Sequence, residues 1–127
     1  MKMNKFVKTI KQSDIYKEYL NSLNGILRLT PRELEILAKI IEYNPKATDR
    51  MEFSNVVSLQ VRRKLIKNLL VNKSNLSKHI TSFLDKRYLM KDDITGAVYI
   101  NKSLVPIIDN DTVIIHMIIN IQDDKNN

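Results

Sequence analysis

The sequence predicts an α+β fold that is mainly helical, and three observations carry that expectation. Two stretches, at 29–45 and 72–86, combine a helical apolar spacing with capping residues at the correct end. A third, at 88–100, reads as strand, tight turn and strand, with Gly96 at the turn. Finally, two glycines and three prolines in 127 residues are too few for long linkers, and no repeat or low-complexity tract is visible. The expected organisation is a basic segment at 1–12, a single domain at 13–121 and a disordered polar tail at 122–127.

Taken in order, "SDIYKEYLNSLNGI" starts a helix at Ser13 or Asp14. Its expected buried stripe is Ile15, Tyr19 and Leu23, and Asn24-Gly25 is its expected end. In "LTPRELEILAKIIEYNP", Thr30 is a natural N-cap, Pro31 suits the first helical position and Glu33 completes a capping box. Leu34, Leu37, Ile40 and Ile41 line one side of this second helix, and Pro45 stops it by Asn44. The connector "KATDRMEFSNVVS" reads as irregular, with a short extended piece near 51–53. A third helix over 58–70 buries Leu65, Ile66 and Leu69. After a break at Val71-Asn72, Asn72 caps a fourth helix over 73–86. In the hairpin, Tyr88, Leu89 and Met90 oppose Ala97, Val98, Tyr99 and Ile100.

The last stretch, "TVIIHMIINIQ", is apolar in both alternating phases. Val113, Ile115, Met117, Ile119 and Ile121 are matched by Ile114 and Ile118. Such a run predicts a strand buried on both sides, packed on the N-terminal segment. The functional alternative is pairing with a second copy of the chain, through this strand over 112–121 or through the N-terminal helix.

Charge is unevenly placed. Residues 60–91 hold nine cations against Asp85 alone, whereas the net charge of the whole chain is +7. A localised basic block is the electrostatic footprint of a polyanion partner, although a solvated face has the same composition. The absence of cysteine excludes a disulfide framework and a thiolate metal site, and it fits a reducing, cytoplasmic setting. His79 and His116 lie far apart in sequence, and His116 reads as a packed side chain, so neither a metal nor a cofactor is expected. "MKMNKFVKTIKQ" does not read as a signal peptide, and "VIIHMIINI" is too short to span a bilayer as a helix. There is no Gly-rich phosphate loop, no H-E-x-x-H and no serine elbow, so the expectation is a protein that is not an enzyme.

The fourth helix separates two kinds of surface. With Leu76 at zero and about 100° per residue, Ile80, Phe83 and Leu84 fall within about 80° of it. Ser74, Lys78, Thr81, Ser82 and Asp85 gather near the opposite pole, with Asn75, Ser77 and His79 on the flanks. Glutamate and lysine usually fill a solvated helical face because they favour the helix; serine, threonine and asparagine do not. Short hydroxyls and amides do, however, let a helix approach a duplex closely enough to reach phosphates and base edges.

Helix, helix, turn, helix and hairpin over 29–106 resemble a winged helix-turn-helix DNA-binding domain of small phage, plasmid and MarR-like types. "LTPRELEIL", "NKSNLSKHITSFLDKRYL" and "GAVYINKSLVP" carry the resemblance. The implied architecture is a three-helix core with a β-hairpin wing, an extra N-terminal helix and a C-terminal strand. The resemblance also implies that Lys73, Ser74, Asn75, Ser77 and Lys78 enter the major groove, with Thr81 and Ser82 farther along the helix. Arg62, Arg63, Lys64 and Lys67, on the preceding helix, would touch the phosphate backbone. The implied function is that of a sequence-preferring double-stranded DNA-binding protein, a phage-like transcriptional regulator in a bacterial host. The alternatives are a winged-helix module docking on host polymerase or replication machinery, and a replication-initiator-type origin binder. Asp92 and Asp93 at the hairpin tip would repel phosphate, so the wing is expected to stay out of the groove, with Lys91 or Lys102 touching the backbone at most.

One departure from the family pattern is visible. Ile66 and Leu70 occupy places where the commonest pattern has a small residue and a glycine. Ile66 is therefore expected to alter the helix packing. Leu70 is expected to avoid the left-handed conformation, which implies a different turn.

Overall fold

Four helices and two small antiparallel hairpins make up the computed structural model, which describes residues 7–49, 55–115 and 117–124. The helices are α1 (Ile15–Leu27), α2 (Pro31–Tyr43), α3 (Leu59–Leu69) and α4 (Lys73–Asp85). The strands are β1 (Leu89–Lys91), β2 (Val98–Ile100), β3 (Ile108–Asp109) and β4 (Thr112–Val113). The chain is thus α+β and mainly helical, and no helix among the described residues is long and apolar enough to cross a membrane.

The second helix is the centre of the packing. Its capping box is complete: Thr30 N–H donates to Glu33 Oε1 at 3.0 Å, and Glu33 N–H donates to Thr30 Oγ1 at 3.2 Å. Leu34, Ile36, Leu37, Ala38, Ile40 and Ile41 are all buried, so α2 hides more than one stripe, with α1 and α3 packed against it. The described core contains no buried polar or charged residue.

The first helix departs from expectation twice. It runs through Gly25 to Leu27, because the chain reverses at Arg28 (φ 55°) rather than at Asn24-Gly25. Asn24 uses its side chain for the loop instead, accepting from Leu29 N–H at 2.7 Å and donating to Leu29 C=O at 3.0 Å. The buried stripe is also rotated. Leu20 and Leu27 are buried, with Tyr16 and Leu23 packed beside them, while Ile15 and Tyr19 lie at the margin. Tyr19 is drawn there by its hydroxyl, which donates to Ser103 C=O at 3.1 Å.

Beyond α2 the two described ends of the connector bond the outer edge of β2. Ile100 N–H donates to Ala47 C=O at 2.7 Å, and Val56 N–H donates to Val98 C=O at 2.9 Å. The extended piece expected at 51–53 lies outside the described residues. Ser58 caps α3, which buries Leu65 fully and Ile66 and Leu69 by half.

The turn between α3 and α4 overturns the expectation for Leu70. That residue does adopt the left-handed conformation, with φ 54° and ψ 35°. Its side chain stands 87% exposed, so nothing crowds it, and the strain is of order 1 kcal/mol. Two neighbours hold it there: Val71 is buried, and Asn72 accepts from Asn75 N–H at 2.8 Å to cap α4. The Arg32 guanidinium, from the first turn of α2, also donates to Leu69 C=O. An extended Leu70 would remove Val71 from the core and Asn72 from its cap.

In the larger hairpin Leu89, Met90 and Lys91 pair with Ile100, Tyr99 and Val98. Tyr88 lies outside the ladder. Its hydroxyl donates to Leu27 C=O at 2.6 Å, tying the end of α1 to the start of β1. At the tip, Gly96 takes φ 74° and Asp92 is drawn into the turn, its carboxylate accepting from Thr95 N–H at 3.0 Å and Oγ1 at 2.6 Å.

The expected final core strand is not formed. A two-residue reversal at Asn110 and Asp111 (φ 48° and 60°) pairs Ile108 with Val113 and Asp109 with Thr112, and no described residue beyond Val113 is in a strand. Ile114, Ile115 and residues 117–121 are exposed, and His116 lies outside the described residues.

Candidate functional site

Helix α4 packs on the core by its apolar side. Leu76, Ile80 and Phe83 are buried, Leu84 is half-buried, and β1 follows directly to pack against it. The opposite side is an open face formed by Lys73, Ser74, Ser77, Lys78, Thr81, Ser82, Asp85 and Lys86. All of these side chains are exposed except Ser82, which is half-buried. Three lysines and four hydroxyls thus share one surface with a single acid at its far end. Thr81 donates its proton to Ser77 C=O at 3.0 Å, which leaves its oxygen free to accept.

The four cations of α3 take three different positions. Arg62 bridges the two helices, donating from Nε to Val57 C=O at 2.8 Å and from a terminal nitrogen to Ser77 Oγ at 3.5 Å. Arg63 and Lys67 are exposed, about 160° around the helix from buried Leu65 on either side. Lys64 turns toward α2, its ammonium 5.6 Å from the Tyr43 ring centroid. Asn68 marks the same flank, donating to the Tyr43 hydroxyl at 3.0 Å. The structure therefore gathers Lys73, Ser74, Ser77, Lys78, Thr81 and Ser82 on one surface. It joins Arg62 to that surface, leaves exposed Asn75 just outside it and points Lys64 elsewhere.

Two features of this region are long-range and have no local sequence signal. One is the Arg62 brace, whose partners are five and fifteen positions away. The other is Glu33, which reaches the flank of α4 from the start of α2 and lies 3.9 Å from Lys86 Nζ. The Thr30 backbone N–H bonded to Glu33, with smaller help from the charges of Lys86 and His79, holds its carboxyl below the usual glutamate range despite partial burial. Burial, and then the Glu33 charge, raises the Tyr88 phenol. Among the described residues no group of His, Cys, Asp or Glu side chains is arranged to hold a metal ion.

Comparison of the chain with protein-family models, with curated proteins and with solved structures gives no match.

Proposed function

We propose that the protein is a winged-helix domain that binds double-stranded DNA, with α4 in the major groove and α3 crossing the phosphate backbone. The observation that carries this reading is the exposed face of α4, where hydroxyls and lysines replace the glutamates of an ordinary solvated face. Short side chains allow close approach, so Ser74, Ser77 and Lys78 are the base-edge candidates, with Asn75 beside them and Thr81 and Ser82 farther along. Arg63, Lys67 and Lys73 serve as phosphate contacts, and the Lys78 ammonium reaches a phosphate as well. Lys73 stands in the first turn of α4, where the helix dipole disfavours a cation and favours an anion, so a phosphate there satisfies both. Arg62 fixes the angle between the two helices. The hairpin stays outside the minor groove, because Asp92 belongs to its turn and Asp93 is exposed at its tip.

A sequence-preferring transcriptional regulator of phage type is the role that fits this interface. Fluorescence polarisation with a labelled duplex over a salt series tests it. Binding at low salt that weakens steadily with salt is expected; no binding at low salt, or binding indifferent to salt, refutes it.

A second reading has one observation in its favour. Ile94 is 93% exposed at the hairpin tip beside Asp93, a surface better suited to a protein than to phosphate. Capture of a polymerase or replication protein that survives nuclease treatment, with no duplex binding, is the result that selects it.

A further inference from the structure

The segment after β4 leaves a large apolar surface without a partner. Ile118 is 82% exposed, Ile119 77% and Ile121 95%, and Ile107, Ile108, Ile114, Ile115 and Met117 add to them. Together these side chains expose on the order of 800 Å² per copy, about what one partner contributes to a standard stable interface and more than the usual largest apolar patch of a monomer. The chain's own hairpin does not cover this segment: its ladder ends at the Ile108–Val113 pair, and the described residues beyond it are exposed.

We infer that the occupant is a second copy of the same segment, paired antiparallel to form a two-stranded ribbon between protomers. In β geometry the odd positions Val113, Ile115, Met117, Ile119 and Ile121 form a wholly apolar face, whereas the even face mixes Ile114 and Ile118 with Asn120 and Gln122. A symmetric pairing keeps that distinction only when each residue faces one of the same parity, so the two-fold axis must pass through a residue. The strand available for pairing starts after the Asn110–Asp111 reversal, so Asp109 and Asp111 lie outside it. An axis at Met117 matches the apolar face along its whole length, pairing Val113 with Ile121 and Ile115 with Ile119. Met117 then meets its own copy. The apolar odd face, doubled across the two strands, is the side that turns toward the two protomer bodies.

The pairing does not depend on DNA, so the test contains none. Sedimentation equilibrium of the full chain at tens of micromolar is expected to give twice the 14.8 kDa chain mass. Ile119→Lys is expected to return it to once that mass with its helical circular dichroism unchanged, because this side chain supports no other part of the fold. The chain contains no cysteine, so single cysteines report the register without background. Met117→Cys should form an interchain disulfide under mild oxidation, while Ile114→Cys, opposite Asn120, should not. A monomeric wild-type chain overturns the inference. So does a dimer that survives Ile119→Lys, or one that cross-links through Cys at 114 and not at 117.

Discussion

Replacing Arg63 and Lys78 together with glutamine puts a number on the role of the cationic surface. Four exposed cations on α3 and α4 are free to meet phosphate: Arg63, Lys67, Lys73 and Lys78. Arg62 is engaged by Val57 and Ser77, Lys64 stands over Tyr43, and Lys86 has Glu33 beside it. Four phosphate contacts give a log–log salt slope of about −3.6, hence roughly a 150-fold loss of affinity between 50 and 200 mM salt. Removing two of them halves the slope to about −1.8, and the same salt step then costs only about 12-fold. Fluorescence polarisation on a duplex of arbitrary sequence measures both slopes. Lys64→Gln is the internal control and is expected to leave the slope unchanged, because its charge faces α2. An unaltered slope in the double variant, or a Lys64→Gln variant that flattens it as much, refutes the division of cations drawn from the structure.

Three further outcomes follow from the packing. Leu70→Gly relieves the left-handed strain of about 1 kcal/mol but adds about 0.4–1 kcal/mol of entropy to the unfolded chain, so stability should stay level or rise by up to about 0.5 kcal/mol; a lower urea midpoint contradicts it. Tyr88→Phe removes the hydroxyl from Leu27 C=O and should cost about 1 kcal/mol in the same titration, whereas no loss means that bond is immaterial. Because the folded state lowers the Glu33 pKa, its contribution is fully present above the ordinary glutamate value and disappears as pH falls through the lowered one; thermal unfolding of Glu33→Gln should therefore show a smaller stability loss over that acidic window than the parent chain.

Much of the helical frame was legible because its determinants are local. Thr30, Pro31 and Glu33 specify the start of α2 within four positions, Asn72 does the same for α4, and Gly96 marks the hairpin turn where a positive φ is needed. Misreadings arose where a distant group decided the outcome. Gly25 looked like a helix end, but Asn24 clamps the backbone of Leu29 and carries the helix onward. Leu70 looked incompatible with a left-handed turn, yet the burial of Val71 and the Asn72 cap outweigh a strain of order 1 kcal/mol. The 113–121 run looked like core because apolarity signals burial, yet its described residues beyond Val113 are exposed. Periodicity put Ser74, Lys78, Thr81 and Ser82 on one side of a helix, and the structure leaves that side open. The Arg62 brace and the aversion of Lys64 depend on neighbouring helices, which no local pattern encodes.

Titration of a short duplex into isotopically labelled protein, followed by amide chemical shifts, addresses the use of α4 most directly. Docking of this helix in a major groove requires the largest low-salt shifts at Ser74, Ser77, Lys78 and Thr81, with smaller ones at Arg63 and Lys67. Shifts confined to the hairpin tip or the 113–121 segment, or no shifts at all, would contradict it.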